Sequence, residues 1–588
     1  MIAIMNTLEQ KHINKMNQFN ILIVDDCQVA SLFLSKLLML LGFTSVDSVK
    51  SYQQAIQVCS KRHYSLLFID YHLEQILNGS ELYDLLKTKG FIKPYARVIT
   101  VSGDHTTQTV LSTLSKGSGD YLCKPISKST LSHKMTDAYQ EYQLFKKLHL
   151  IEKEGDITKL KEHTIALAKN KNINELDQFL FNIFTSNEKE DLIKLCLQPE
   201  FINRRNYILT RLQLENELKL NSPNELITQT EKLCKQHPLF APAFDFLSTL
   251  QIKHSHYEDA LYSASNALDL TPSVPSRALN TLKLALTCNN KQSFLKASHL
   301  LSNHLPIADQ DWCSYVSEAF NYYDEYIQSC QSVCDRKQLI LEQKNFVRRS
   351  EYRLTAIQKK QLTILYSLSE CKRLIKEGDI IKSKRVMLKT VKPFFDDLHQ
   401  LNSVILVELL YLLSFYGELW LLEKVNAVIK TKHQFNDYCL DALQILKCDQ
   451  ELSESLKMLS NALTDGNNIQ NNNFTADALE QVKHRYQNIL PQYPYSSELC
   501  ISLLECYASL SIDNPATISA MMALVNNMPL SEKLMQRREA VFKILHAHEG
   551  YIEERGTTDL KLNVNNLYIE KDTELLSLSR KPTFMLLP

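Results

Sequence analysis

The chain has 588 residues, with 66 basic against 66 acidic side chains and a formal net charge of +0. Such a length exceeds one hydrophobic core, so several domains are expected, and the neutral balance provides no bulk attraction to nucleic acid or to an anionic membrane. Its 14 cysteines are scattered without a CxxC pair and only 12 residues are glycine, which argues against a secreted disulfide scaffold or zinc module and for a helix-rich protein in a reducing, cytoplasmic setting.

Residues 1–18 read as a tail, whose short apolar start is followed by polar residues and does not form a signal peptide. Phe19 to Asp26 is an apolar strand ending in two acids. Ala30 to Leu41 has helical spacing and stops at Gly42. Thr44 to Val49 is a weaker strand, and Ser65 to Ile69 is a third, with Asp70 at its end. Gly79 to Leu86 opens another helix. Arg97 to Val101 is a fourth strand that runs into Ser102 and Gly103, and Gly117 to Leu122 leads into Lys124-Pro125. Alternation of strand and helix, with near-continuous apolar strands, predicts a parallel sheet covered on both faces.

The strand ends carry the chemistry. An open α/β sheet binds ligands at the carboxyl ends of its strands, and there this chain places Asp25, Asp26, Asp70, Ser102 and Lys124. Three carboxylates suit Mg²⁺, which takes oxygen ligands and keeps several waters. A carboxylate can also accept a phosphoryl group. Lys124 offers a positive charge, Ser102 a hydroxyl, and Gly103 an open approach to the backbone. The Lys124-Pro125 bond is a place where a cis peptide can shape the loop that aims the lysine.

By these residues, and by Asp120-Tyr121-Leu122-Cys123-Lys124-Pro125, the segment resembles the receiver domain of two-component response regulators. The resemblance implies a flavodoxin-like sheet of order 2-1-3-4-5. It implies Asp70 as the phosphoacceptor, and Asp25, Asp26, Asp70 and the backbone carbonyl of His72 as ligands of Mg²⁺. It further implies Ser102 as the switch hydroxyl, Lys124 as the phosphate partner and Tyr121 as an aromatic that turns inward on activation. The implied partner is a sensor histidine kinase or a phosphotransfer protein. Two departures stand out: the stretch from Asp70 to Gly79 lacks the usual Met-Pro, and Ser118 replaces a commoner alanine between Gly117 and Gly119.

Beyond Lys128 the strand signal ends. Leu131 to Leu150 reads as a helix leaving the receiver, and Asp156 to Phe184 as linker helices. Pro238, Pro272 and Pro306 are 34 residues apart, a period of helical-hairpin repeats. Between them Phe244, Leu247, Ser248, Ala260, Ala264 and Ala267 resemble a tetratricopeptide (TPR) unit, with Gln251 and Ala264 where tyrosine and phenylalanine are usual. Pro494 and Pro529 suggest a further pair, with helices over Cys500 to Leu510 and Ala516 to Val525. Helical pairs broken at Gly378 and Gly417 lie between, and Asp465 to Asn473 reads as a polar loop. Val404 to Trp420 is the most apolar window, but Glu408 and Glu418 make it a buried helix rather than a membrane span.

The expected organisation is multidomain: a tail over 1–18, the α/β receiver over 19–140, linker helices over 141–220, TPR-like repeats over 221–310, degenerate helical repeats over 311–470, C-terminal TPR-like helices over 474–555 and a tail over 556–588. The layout resembles that of VieB-type regulators. The expected output is protein–protein interaction through the all-α region, with no nucleic acid and no membrane as partner, and no catalysis beyond the receiver's own phosphoryl transfer. The alternative output is modulation of the phosphorylation of another regulator or kinase. Binding of nucleic acid by the basic stretch Arg336 to Lys360 is a weaker reading, since that stretch fits a solvated helix face and no helix-turn-helix accompanies it. His546 and His548 have no common metal-ligand spacing.

Overall fold

In the computed structural model, the described residues are 19–73, 77–104, 106, 110–111, 120–432, 435–470, 475–510, 515–526 and 528–549. Both expected tails, residues 117–119 and Asn471 to Asn473 lie outside them. The chain forms two compact units, one of residues 1–312 with 344–355, the other of residues 313–343 with 356–588.

The first unit begins with five parallel strands, β1 (Ile21–Val24), β2 (Val46–Val49), β3 (Leu66–Asp70), β4 (Arg97–Ser102) and β5 (Asp120–Cys123), in the order β2-β1-β3-β4-β5. The alternation of a strand sorts the apolar residues onto two faces. Ile21, Ile23, Leu66 and Phe68 form one core with helices α1 (Gln28–Leu40) and α4 (Lys128–Glu154). Leu22, Val24, Leu67 and Ile69 form the other with α2 (Tyr52–Lys61) and α3 (Gly79–Thr88). Each fully buried Leu, Ile or Phe contributes about 1.5–3 kcal/mol, so register is set on both faces.

Ser127 caps α4 and Gly155, at φ 78°, ends it. Over its length the helix changes cores. Leu131, Met135 and Ala138 pack on the sheet, whereas Leu144, Phe145, Leu148 and Ile151 join the core of the helices that follow. Those are α5 (Ile157–Asn170), α6 (Asn174–Ile183), α7 (Lys189–Cys196) and α8 (Arg205–Glu217). Arg97, at the start of β4, pairs with Glu141 of α4 at 2.5 Å and with Glu175 of α6.

Helical hairpins come next: α9 (Pro223–Gln236), α10 (Ala241–Lys253), α11 (Tyr257–Leu270), α12 (Pro275–Thr287) and α13 (Lys291–Asn303). The 34-residue period is visible in the backbone. Ser255 and Asn289 hold the same left-handed turn position, with Lys219 in the preceding hairpin. In each turn an N–H returns to a carbonyl five residues back, His256 to Gln251, Asn290 to Ala285 and Leu220 to Glu215, closing the helix in a Schellman-type cap. Gln251, unusual for a TPR unit, is explained by Ser263, which donates to its side chain at 2.8 Å across the hairpin.

Among its described residues the second unit is all-helical. It contains most of α14 (Trp312–Ser329), the first part of α15 (Val333–Glu351), and α16 (Ala356–Lys376), α17 (Ile380–Val391), α18 (Ser403–Tyr416), α19 (Leu419–Thr431), α20 (Asp437–Cys448), α21 (Gln450–Gln470), α22 (Ala476–Ile489), α23 (Ser497–Ser509), α24 (Pro515–Val525) and α25 (Glu532–Glu549). Gly378 and Gly417 break the pairs as expected, both with positive φ. The apolar helix α18 is buried, with Glu408 paired to Lys372 at 2.6 Å. The loop expected from Asp465 is helix through Gln470. Gly466 lies against the Tyr486 hydroxyl, where a side chain would not fit, so the glycine serves close helix packing rather than a turn. No described helix is long and apolar enough to cross a membrane, and the 14 cysteines are free thiols.

Candidate phosphoacceptor and metal site

Asp25 follows the last residue of β1, and Asp70 ends the neighbouring β3. Because these strands are adjacent and parallel, in register from Ile21 with Leu66, their carboxyl ends lie side by side. One ligand atom from each of Asp25, Asp26 and Asp70 falls within 4.8 Å of the others. Asp25 and Asp70 are only 4% and 7% exposed, so the charges are crowded and poorly hydrated. Hard oxygen donors this close, from three carboxylates, fit a divalent cation.

Lys124 follows β5 and bridges the cluster. Its ammonium lies 3.0 Å from Asp25 and 3.3 Å from Asp70. The Lys124-Pro125 peptide is cis, and the Lys124 N–H donates to the Ser102 carbonyl at 2.7 Å, fastening the loop to β4. Burial raises the Asp70 carboxyl above the usual range and the Asp25 charge adds to this, while Lys124 pulls the other way. Burial alone would lower Lys124, but its hydrogen bond to Asp25 and the charge of Asp70 outweigh that and hold it above the ordinary lysine range. Asp25 also accepts the Cys27 N–H at 2.9 Å, which orients its second oxygen toward Lys124.

Ser102 closes the site at the end of β4. It is fully buried, and its hydroxyl accepts the Asp104 N–H at 3.0 Å. Tyr121, on β5, donates to the Asp104 carbonyl at 2.6 Å, so both ends of the Asp104 peptide are gripped by residues singled out in the sequence. His72 is exposed beside Tyr71, their rings edge to face at 4.9 Å.

Three further residues lie behind the Asp70 strand end, outside the carboxylate cluster and its lysine. Gly79 starts α3 directly against β3: its N–H donates to the Tyr71 carbonyl at 3.0 Å, and a Cβ there would fall 2.2 Å from the Asp70 carbonyl oxygen. Glu81 forms a capping box with Asn78, each side chain accepting the other's backbone N–H at 2.9 Å. The Asn-x-x-Glu spacing was a readable signal for that cap. Arg353, 272 residues from Glu81, donates to both of its carboxylate oxygens, and no local pattern reveals such a pairing. Arg353 and Arg349 depart from the solvated face expected of the basic stretch, which Arg336, Lys337, Lys344, Lys359 and Lys360 keep. Arg353 and Arg349 are half-buried and hydrogen-bonded, while Arg348 stays exposed. His546 is exposed on α25.

Residues 21–136 match the family described as response regulator receiver domain. Among solved structures, the receiver domain of the Francisella response regulator 1452 is 23% identical, covering 21% of this chain and 97% of that one at a TM-score of 0.19. NtrX from Brucella abortus is 23% identical over 22% of this chain and 29% of that one, with a TM-score of 0.21. The P58(IPK) TPR domain is 14% identical over 64% of this chain and 99% of that one, with a TM-score of 0.21. No curated protein matches the chain. Residues 21–136 are a response regulator receiver domain with an acidic pocket of Asp25, Asp26 and Asp70, and among the described residues the chain continues from it into a long all-helical region that includes hairpins of 34-residue period.

Proposed function

We propose that Asp70 accepts a phosphoryl group from a sensor histidine kinase or phosphotransfer protein, and that the helical region turns this event into a change in protein–protein interaction. The observation that carries the reading is the clustering of three carboxylates around one ammonium, with Lys124 touching both Asp25 and Asp70. A carboxylate oxygen of Asp70 bonds to phosphorus as the bond from phosphorus to the donor's imidazole nitrogen breaks, and the imidazole leaves with that electron pair. Asp25, Asp26, Asp70 and the His72 carbonyl are the residues that would hold Mg²⁺, whose chemistry is to neutralise charge on the phosphoryl oxygens.

Lys124 supplies the second positive charge and orients the new phosphoryl oxygens. The Ser102 hydroxyl, which now accepts from Asp104, can rotate to donate to one of them, and Tyr121 follows through its own bond to the Asp104 carbonyl. A pre-existing two-state equilibrium is thereby biased. The TPR-like hairpins support an output by protein binding, since stacked helical pairs build extended binding surfaces. Acetyl phosphate labelling tests the assignment. The wild-type chain should take an acid-stable, hydroxylamine-sensitive label that Asp70→Asn abolishes, and a retained label in that variant would overturn it. For the output, beryllofluoride with Mg²⁺ should alter recovery of a bound protein in pull-downs, and equal recovery with and without it would count against the adaptor role.

A further inference from the structure

One contact in the first unit joins the Asp70 strand end to a part of the chain far away in sequence. Glu81, in the first turn of α3, is 2% exposed. Its carboxylate accepts two hydrogen bonds from Arg353, at 2.8 and 2.6 Å. The same guanidinium donates at 3.1 Å to the Leu305 carbonyl, just past α13. Close by, Arg349 donates to the Ser302 hydroxyl at 2.8 Å, and Phe346 and Leu354 are buried. Residues 344–355 are thus fastened both to the end of a TPR-like hairpin and to the receiver.

The receiver end of this fastening stands on the phosphoacceptor. Gly79, two residues before Glu81, leaves no space between α3 and the Asp70 carbonyl and bonds to the Tyr71 carbonyl. Packed interiors shift between discrete arrangements rather than deform smoothly, so a displaced β3 end carries α3 and Glu81 with it. The Tyr71 ring reports the same proximity. Burial pushes its phenol up, the Glu81 charge adds to this, and Arg353 opposes it.

We propose that the Arg353–Glu81 ion pair is an intramolecular latch through which phosphorylation of Asp70 releases residues 344–355. The proposal rests on Asp70 being the phosphoacceptor. Direction follows from completeness: both Glu81 oxygens are already engaged and the carboxylate is buried, so modification of Asp70 can alter this contact only by weakening it. A long-range pair of this kind gives the receiver an output inside its own chain, before any second protein is involved.

Hydrogen exchange on the full chain, with and without beryllofluoride and Mg²⁺, tests it. Beryllofluoride should slow exchange at the end of β3 and speed it over residues 344–355 by about fivefold or more, the low end of allosteric couplings. Glu81→Gln keeps an oxygen for the Asn78 cap but lacks the charge. It should speed exchange over 344–355 without beryllofluoride, retain acetyl phosphate labelling, and bind beryllofluoride more tightly by the same factor, as linkage requires. Arg353→Gln makes the same comparison if Glu81→Gln does not fold. Protection at Asp70 with unchanged or slowed exchange over 344–355 overturns the latch alone, as does a labelled variant with wild-type exchange there. No protection at Asp70 together with no acetyl phosphate label removes the phosphoacceptor reading, and the latch with it.

Discussion

The carbonyl oxygen of Asp70 occupies the space that a side chain at Gly79 would need, since a Cβ there would sit 2.2 Å away. Backbone cannot yield as a flexible side chain does. Gly79→Ala should therefore lower stability by about 1–3 kcal/mol, the usual cost of overpacking, and slow acetyl phosphate labelling by displacing the end of β3. Urea unfolding and a labelling time course check both. A wild-type midpoint would show that α3 is free to step away from the strand.

The acidic pocket makes a prediction about pH and metal with a definite sign. Burial holds the Asp70 carboxyl above the usual range, so the folded chain keeps that proton to higher pH than the unfolded chain. The associated stability is present below the unfolded carboxylate value of about 3.9 and is lost as pH rises through the folded one. Asp70→Asn should melt at a higher temperature than wild type at neutral pH without metal, and the gap should close as pH falls toward about 4. Mg²⁺ should reverse the order by stabilising the wild type, by about 2.7 kcal/mol at a hundredfold excess over its dissociation constant. Melting curves for both chains across pH, with Mg²⁺ or with chelator, give the comparison. A melting gap independent of pH would contradict this account of Asp70.

Lys124 is predicted to separate chemistry from response. Its ammonium touches Asp25 and Asp70 but forms no part of the acceptor oxygen. Lys124→Ala should retain some acetyl phosphate label on Asp70. It should lose the beryllofluoride-dependent change in partner recovery, because nothing then draws the phosphoryl group toward β5 and Tyr121. Recovery that still responds in the labelled variant would remove this role from the lysine.

The receiver was legible because its chemistry is written at strand ends. An apolar run followed by an acid, a hydroxyl or a lysine needs only the period of a strand to place the group, and the structure puts each of these residues at or just past a strand's carboxyl end. The TPR-like hairpins were legible where prolines kept a 34-residue period. What stayed hidden depends on contacts distant in sequence. Arg353 looked like one more charge on a basic helix until it met Glu81, 272 residues earlier. The run from Asp465 to Gln470 had the composition of a loop. Tertiary contact with Tyr486 overrode that propensity and used Gly466 for its lack of a side chain. Gln251 looked like a departure from the repeat, yet Ser263 supplies its partner.

The second unit carries a buried pair whose partners cannot be exchanged singly. Lys384 and Glu418 are both wholly inaccessible to solvent and form a direct ion pair. The remaining valences are met by local groups. Glu418 accepts the Ser497 N–H at 2.7 Å and the Trp420 indole N–H at 2.8 Å, and Lys384 donates to the Ser497 hydroxyl at 2.5 Å. Removing one partner leaves a buried charge without compensation, which costs about 3–5 kcal/mol. Replacing both with apolar residues of similar size removes the desolvation penalty along with the attraction, and is often neutral or stabilising. Lys384→Met should accordingly destabilise the chain by about 3–5 kcal/mol, and adding Glu418→Leu should recover part of the loss. The recovery will be incomplete to the extent that the Ser497 and Trp420 N–H groups lose their acceptor, each at about 1–3 kcal/mol if left buried and unpaired. Denaturant unfolding of the two single variants and the double variant gives the coupling directly. Additive losses would mean that the lysine and the glutamate are solvated independently, contrary to their burial here.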